Sequence, residues 1–202
     1  MKKLISFLPV LLILFVSCSQ SPEKKAEALI KDAVLKTLYL PDTYQAVETV
    51  LDSAFSPYQD PKFIAAVLDL YETALPLEDL EREISHAQSS MSIWDQPYAS
   101  SFARNEYQEA KKKYEESLKQ QADISEKVKA GYEELATMAE VDPEFIGYVA
   151  RHRFRANNNE GATLLADYYF FLDKSLTEIV AAWDEEQISI YNEFFNQFGA
   201  SE

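Results

Sequence analysis

Only one cysteine, Cys18, stands in this chain of 202 residues, so no intramolecular disulfide can form and no zinc site built on several thiolates is open to it. Histidine is almost as scarce. His86 and His152 are the only two, and neither belongs to an H-E-x-x-H pair. With four glycines the chain has neither a G-x-x-x-x-G-K phosphate loop nor a G-x-S-x-G nucleophile elbow, so the hydrolase plans built on them are disfavoured. No cofactor signature is present, and none is expected to bind. Positive charge is short as well: 19 Lys and Arg face 34 Asp and Glu, for a net charge of −15. Such a surface repels phosphate backbones and anionic lipid heads, which argues against nucleic acid as a partner. Missing too is any apolar run of about 20 residues, the length a bilayer-spanning helix needs.

The apolar run that is present covers residues 4–16. It follows Lys2 and Lys3, which is the charge-then-apolar order of an export signal. It ends in Phe15-Val16-Ser17-Cys18, which resembles the bacterial lipobox, with Phe15 where Leu is usual. The resemblance implies that residues 1–17 are removed and that Cys18 becomes the lipid-bearing first residue. An ordinary cleaved signal ending beside Cys18 is the alternative. A lone cysteine has no protein partner in an oxidising compartment, which favours the lipid. Two or more acyl chains would hold the protein to a membrane without a spanning helix. Ser19 replaces the Asp of inner-membrane retention signals, so the expected location is the cell envelope, on the outer membrane. Residues 18–25 read as a flexible tether and 26–202 as one domain, whose 47% hydrophobic and 13% aromatic content suits a real core.

Along that domain the periodicities alternate. Residues 23–38 place Ala26, Leu29, Ile30, Ala33, Val34 and Leu38 at helical spacing between Pro22 and Pro41. Residues 43–55 mix β-branched and aromatic side chains and predict a strand, closed by Ser56-Pro57 and Asp60-Pro61. Two long helical stretches follow, one with Phe63, Val67, Leu70, Ala74, Leu77, Ile84 and Met91, the other with Tyr107, Ala110, Tyr114, Ile124, Val128, Leu135 and Met138. Pro97 lies in the break between them, so an antiparallel helical hairpin at about 61–142 is expected, kinked or split at Pro76. Ser117, Gln121 and Gly131 interrupt its seam, which argues against a long regular coiled coil.

Residues 145–156 and 162–172 read as strands around the turn cluster Asn157-Asn158-Asn159-Glu160-Gly161. A three-residue loop would set Asn157 against Gly161. It would pair Phe154 with Leu164, His152 with Ala166, Ala150 with Tyr168 and Tyr148 with Phe170 on one face, and Arg151 with Asp167 and Arg155 with Thr163 on the other. Residues 176–183 predict a last strand and 185–198 a last helix. The fold class expected is therefore α+β: an N-terminal helix and strand, a helical hairpin insertion, three C-terminal antiparallel strands completing one sheet, and a C-terminal helix.

The segments Leu29-Ile30-Lys31, Thr37-Leu38-Tyr39, Pro41-Asp42-Thr43-Tyr44 and Leu51-Asp52-Ser53-Ala54-Phe55 resemble the start of small, uncharacterised lipoproteins of the Bacteroides type. Their far end is similar to Phe145-Ile146-Gly147-Tyr148, His152-Arg153-Phe154-Arg155-Ala156-Asn157, Gly161 and residues 169–174. The resemblance covers the two ends and skips the helical middle. It implies a lipoprotein with a split sheet and a helical insert, and no activity or functional residue comes with it.

Few residues stand out as chemistry. His152 falls on the apolar face of its strand, where a satisfied structural histidine is the usual reading, and His86 reads as an exposed helix residue. Glu78, Asp79, Glu81 and Glu83, or Asp184, Glu185 and Glu186, suit solvated faces and helix starts, without calcium-loop spacing. The most distinctive polar feature is Arg151, Arg153 and Arg155 alternating along one strand. They would either grip a carboxylate or phosphate or pair with acids such as Asp167. Tyr169 and Phe171 share that face and would line a shallow groove beside them, or pack under helices. Three functions follow. One is a non-catalytic lipoprotein that binds an envelope protein through the hairpin or the Arg and aromatic face, and this is the expected one. The others are an envelope hydrolase working with carboxylates alone and a structural component whose hairpins self-associate.

Overall fold

The computed structural model describes residues 21–97 and 100–199; the stretch expected to be an export signal, Cys18 and Ser19 lie outside them. The first helix, α1 (Pro22–Thr37), starts where the Ser21 hydroxyl accepts from the Lys24 amide and Pro22 takes a position whose missing N–H costs nothing. That start signal corrects the expected tether: the chain is helical from Pro22, not flexible to residue 25. Ala26, Ile30 and Val34 recur every fourth residue and are buried together. The helix ends as the Leu38 amide closes on the Val34 carbonyl, just before Leu40, which Pro41 keeps out of helical conformation. A 3-10 turn over Pro41–Thr43 then delays the first strand, β1 (Gln45–Phe55), beyond the expected start at residue 43.

β1 pairs with β2 (Phe145–Asn157), β2 with β3 (Thr163–Leu172) and β3 with β4 (Ile179–Asp184), all antiparallel, in one sheet of order β1-β2-β3-β4. The fold is α+β, and the N-terminal strand completes the C-terminal sheet. The β2–β3 register differs from the expected one by two residues: Asn157 faces Thr163, Phe154 faces Ala166 and His152 faces Tyr168. The reason is a loop of residues 158–162 that is longer than predicted. The Asn158 side chain accepts from the Glu160 and Ala162 amides at 3.0 and 2.9 Å, and Gly161 supplies a left-handed φ of 83° within it. A two-residue shift keeps every side chain on its predicted face, because strands alternate with period two. β4 also starts late, at Ile179. The Asp173 carboxylate gathers the amides of Ser175, Thr177 and Glu178 into a turn, and these hydrogen bonds hold its pKa down to about 2.

Between β1 and β2 run α2 (Pro61–Ala74), α3 (Pro76–Trp94) and α4 (Ser101–Ala139); α5 (Glu185–Gly199) closes the chain. Pro76 divides the first helical stretch, as its ring and missing amide require. Two cores flank the sheet. On one face α1 packs Ala26, Ile30 and Val34 against Ala150, Phe154 and Phe170. On the other, α2, α5 and the end of α4 pack Val67, Ile188 and Leu135 with Phe171. At Gly131 a Cβ would fall 2.9 Å from the Leu70 Cδ1, so α4 and α2 approach closely there.

α3 belongs to neither core and packs along α4. Its seam buries small residues, Ala87, Ala103 and Ser117, with Leu80. From Ser101 to Val128, where the second core begins, α4 extends roughly 40 Å at 1.5 Å per residue. The α3–α4 hairpin therefore projects, while α2 lies on the sheet. Ser117 donates to Glu83 at 3.1 Å, and Lys113 sits 3.7 Å from the same carboxylate.

Candidate functional site

Four strands about 4.8 Å apart make a sheet roughly 19 Å wide, about two helix diameters. The α2–α5 face carries two helices packed against each other, with α5 over β3 and β4. The opposite face carries α1 alone, on the β1 side. Over β3 and β4 on this second face lies an open groove of about 770 Å³. Its wall is the C-terminal end of α1 with Tyr39, and its floor includes Phe154, Ala166, Tyr168 and Phe170. Phe154 and Tyr168 stack with ring centres 6.1 Å apart, which stiffens the floor. At the rim Leu164 is 55% exposed and Tyr39 74%. The groove sits at the far end of α1 from Pro22, about 24 Å away along the helix axis.

The same end of the sheet has an open edge. β4 pairs only with residues 168–172 of β3, so the outer edge of residues 163–167 meets no strand among the described residues. Leu164 and Leu165 point to opposite faces of this edge, and each is 55% exposed. Where β4 stops, a hollow opens beside Ala166 and Tyr168, which also line the groove, and its far side is Asp184, Glu185, Glu186 and Ser189. The acids stand there because α5 begins there. Asp184 accepts from the Gln187 amide at 2.9 Å and the Gln187 side chain accepts from the Asp184 amide at 3.2 Å, a reciprocal cap, while Glu185 and Glu186 occupy the first turn.

The Arg row lies on the other face and forms no open anion clamp. Asp167 lies opposite Arg153, two residues along from the expected Arg151. Both of its carboxylate oxygens accept from guanidinium nitrogens, at 2.8 Å from Arg153 and 3.2 Å from Arg151. Donating to the Asp167 carboxylate raises the Arg153 pKa further above its already high value. Arg155 is exposed beside Leu165, with no ion pair among the described residues. Phe171 is 5% exposed and packs edge-to-face on Trp183 at 5.1 Å, and Tyr169 is half-buried in the same cluster. Of the two uses open to Tyr169 and Phe171, packing under helices is the one formed, and no groove opens beside them: both lie in the core that α2 and α5 cover.

His152, 1% exposed, bridges β2 to β1 and the turn before it: its Nε2 is 2.9 Å from the Tyr44 hydroxyl and its Nδ1 2.8 Å from the Thr49 hydroxyl. Burial pushes its pKa below the ordinary imidazole value, with Glu27 opposing. Both ring nitrogens are satisfied, which is a structural role. His86 is exposed, and Glu78 and Asp79 occupy the first turn of α3. Among the described residues no three His, Cys, Asp or Glu side chains converge to hold a metal ion, and no helix is long and apolar enough to cross a membrane.

No family model, no curated protein and no solved structure matches the chain. The site must be read from its own residues. The groove and edge residues Tyr39, Leu164, Leu165 and Tyr168 were not singled out from sequence. One signal was present: two consecutive leucines in an alternating strand must put an apolar side chain on each face.

Proposed function

We propose that this protein is a lipid-anchored, non-catalytic binding module of the bacterial cell envelope, whose working surface is the groove at the far end of α1 from the anchor. The observation that carries the reading is the groove itself: an apolar surface left open to water in a chain that has covered the opposite face with two helices. Open apolar patches of this kind mark binding surfaces. Its floor holds aromatic and small apolar side chains rather than a base beside a nucleophile, which suits recognition better than catalysis. The anchor rests on the Phe15-Val16-Ser17-Cys18 sequence, and the resemblance to small Bacteroides-type lipoproteins is in keeping with it. With α1 between them, the groove stands clear of the tethering end, where a soluble or membrane-held protein can reach it.

A photo-reactive amino acid at Leu164, introduced into the full lipoprotein in its own membranes, should form a protein adduct. A second probe at Phe102 tests the other surface. Ile93 and Phe102, near the tip of the projecting hairpin, are 60% and 61% exposed. Adducts from Phe102 alone would move the working surface to the hairpin, and no adduct from either would refute the binding module. Cys18→Ala should shift the protein to the soluble fraction; retention in the membrane would refute the anchor.

A further inference from the structure

The groove, the exposed leucines, the open edge and the acidic hollow lie at one end of the sheet, and one occupant satisfies all four. We propose that residues 163–167 of β3 receive an extended segment of a partner protein, alternating apolar residues with Lys or Arg, which adds to the sheet as a strand in line with β4. This rests on the binding-module reading and names its partner chemistry.

The backbone argument comes first. Alternate N–H and C=O groups along residues 163–167 point away from β2, and β4 ends before reaching them. An edge of this kind is a template for another strand, and proteins that must avoid pairing protect it with Lys, Pro or a bulge. The segment Thr163-Leu164-Leu165-Ala166-Asp167 has neither Lys nor Pro, and its pairing with β2 runs without a register break. The lane it leaves is about 17 Å long, enough for a short strand. Side chains on an added strand would alternate like those of β3. One set would drop beside Leu164, Ala166 and Tyr168 into the groove, and the other would lie beside Leu165 on the opposite face.

Charge then selects the occupant. The lane runs at its β4 end into the hollow lined by Asp184, Glu185 and Glu186. Asp167 is already matched by Arg151 and Arg153. Asp184 is engaged as the α5 cap, whereas Glu185 and Glu186 are exposed and form no ion pair among the described residues, Glu185 acting on Arg153 only through its charge. A second copy of this chain would bring the same acids against them and add to a net charge of −15. A basic segment is attracted, so the pairing is with a different protein. Main-chain hydrogen bonds supply affinity, while the leucines and acids supply selection, as in other cases of strand addition.

The test is to pan a random dodecapeptide library against the mature lipoprotein held in detergent micelles. Enriched peptides should alternate apolar residues with Lys or Arg, and the best of them should slow amide exchange within residues 163–167. Methylating its alternate backbone nitrogens, which removes the hydrogen bonds and keeps the side chains, should weaken binding about tenfold or more. The doubly substituted Glu185→Lys, Glu186→Lys protein should bind it about tenfold less well. Leu164→Glu, at an exposed position, should abolish binding while the thermal melt stays in place.

Peptides without a basic bias, or equal binding after methylation, would overturn the strand and leave a side-chain groove. Uptake of cis-parinaric acid that displaces the peptide would overturn it in favour of a lipid-like ligand. Dimerisation lost on Leu164→Glu would overturn it in favour of a second copy. Failure to enrich any peptide would also overturn it. A Leu164 adduct formed in native membranes would even then keep the binding-module reading, so the two failures are distinguishable.

Discussion

The two faces of the sheet are covered in the reverse of the order their polarity suggests. The face that carries Arg151, Arg153, Arg155 and Asp167 lies partly under two helices, whereas the face with Phe154, Ala166, Tyr168 and Phe170 lies under one. Connectivity explains it. β4 leads straight into α5 through the Asp184–Gln187 cap, which sends the helix under β3 and β4 on the Arg side. α1 is tied to the β1 edge by a short turn and cannot spread over β3 and β4. Among the described residues no further helix remains, so the apolar surface over β3 and β4 stays open. The lesson is that apolar surface left exposed by the order of elements is surface free for another molecule to cover.

The largest effect that would break this comparison comes from matched truncations on β3. Phe171→Ala, beneath α2 and α5, should cost about 3 to 5 kcal/mol of unfolding free energy in urea titrations. Tyr168→Ala, two residues from the buried Phe170 and on the same face but in the open groove, should cost under about 1 kcal/mol. Equal losses would mean that the groove is covered in solution.

Asp167→Ala comes next. It leaves Arg151 and Arg153 facing each other without their shared acceptor, and should lower stability by about 1 to 3 kcal/mol, since hydrogen bonds to charged groups are of that size. A variant as stable as the parent would mean that the two guanidiniums are solvated independently.

A smaller, pH-dependent effect belongs to the α1 face. Burial holds the His152 pKa below 6.5 in the folded chain, while the unfolded chain takes up its proton near 6.5. The unfolded state therefore binds more protons as pH falls. This contribution to stability is complete above pH 6.5 and is lost as the pH drops below it. Urea midpoints should fall between pH 7 and pH 5, and His152→Gln should flatten that slope. Asp173, with its pKa held at about 2 against an ordinary 3.8, acts in a separate window and loses its contribution only below pH 4.

The smallest effect is expected at Gly131→Ala. The new Cβ crowds the end of the Leu70 side chain, at a cost of about 1 kcal/mol, and the gain in helix propensity is also about 1 kcal/mol. A melt within a degree or two of the parent would show the two terms cancelling; a large loss would show that α2 cannot shift against α4.

Much of the fold was legible because its signals are local. Pro22 and Pro41 bound the first helix and Pro76 splits the first of the two long helical stretches, signals that need only neighbouring backbone groups. Alternation placed Arg151, Arg153 and Arg155 on one face and His152 and Phe154 on the other, and the structure keeps that division even though the β2–β3 register moved by two residues. The site was far less legible. Groove or helix-covered core both stayed open for Tyr169 and Phe171, because alternation says which face a side chain points to and not what lies above it. Leu164 and Tyr168 looked like ordinary core residues for the same reason.

The sequence by itself determined the order and kind of the main elements, the parity of β2 and β3 and the acidic charge, because caps, turns and period-two patterns act over a few residues. Only the tertiary structure decided which face receives two helices, how far β4 runs along β3, and that a groove, an edge and an acidic hollow meet at one end of the sheet. Those features depend on segments distant in the chain, such as Val34 in one core with Phe154 or Glu185 beside Tyr168. No local pattern encodes which distant surface will arrive to cover a given apolar face.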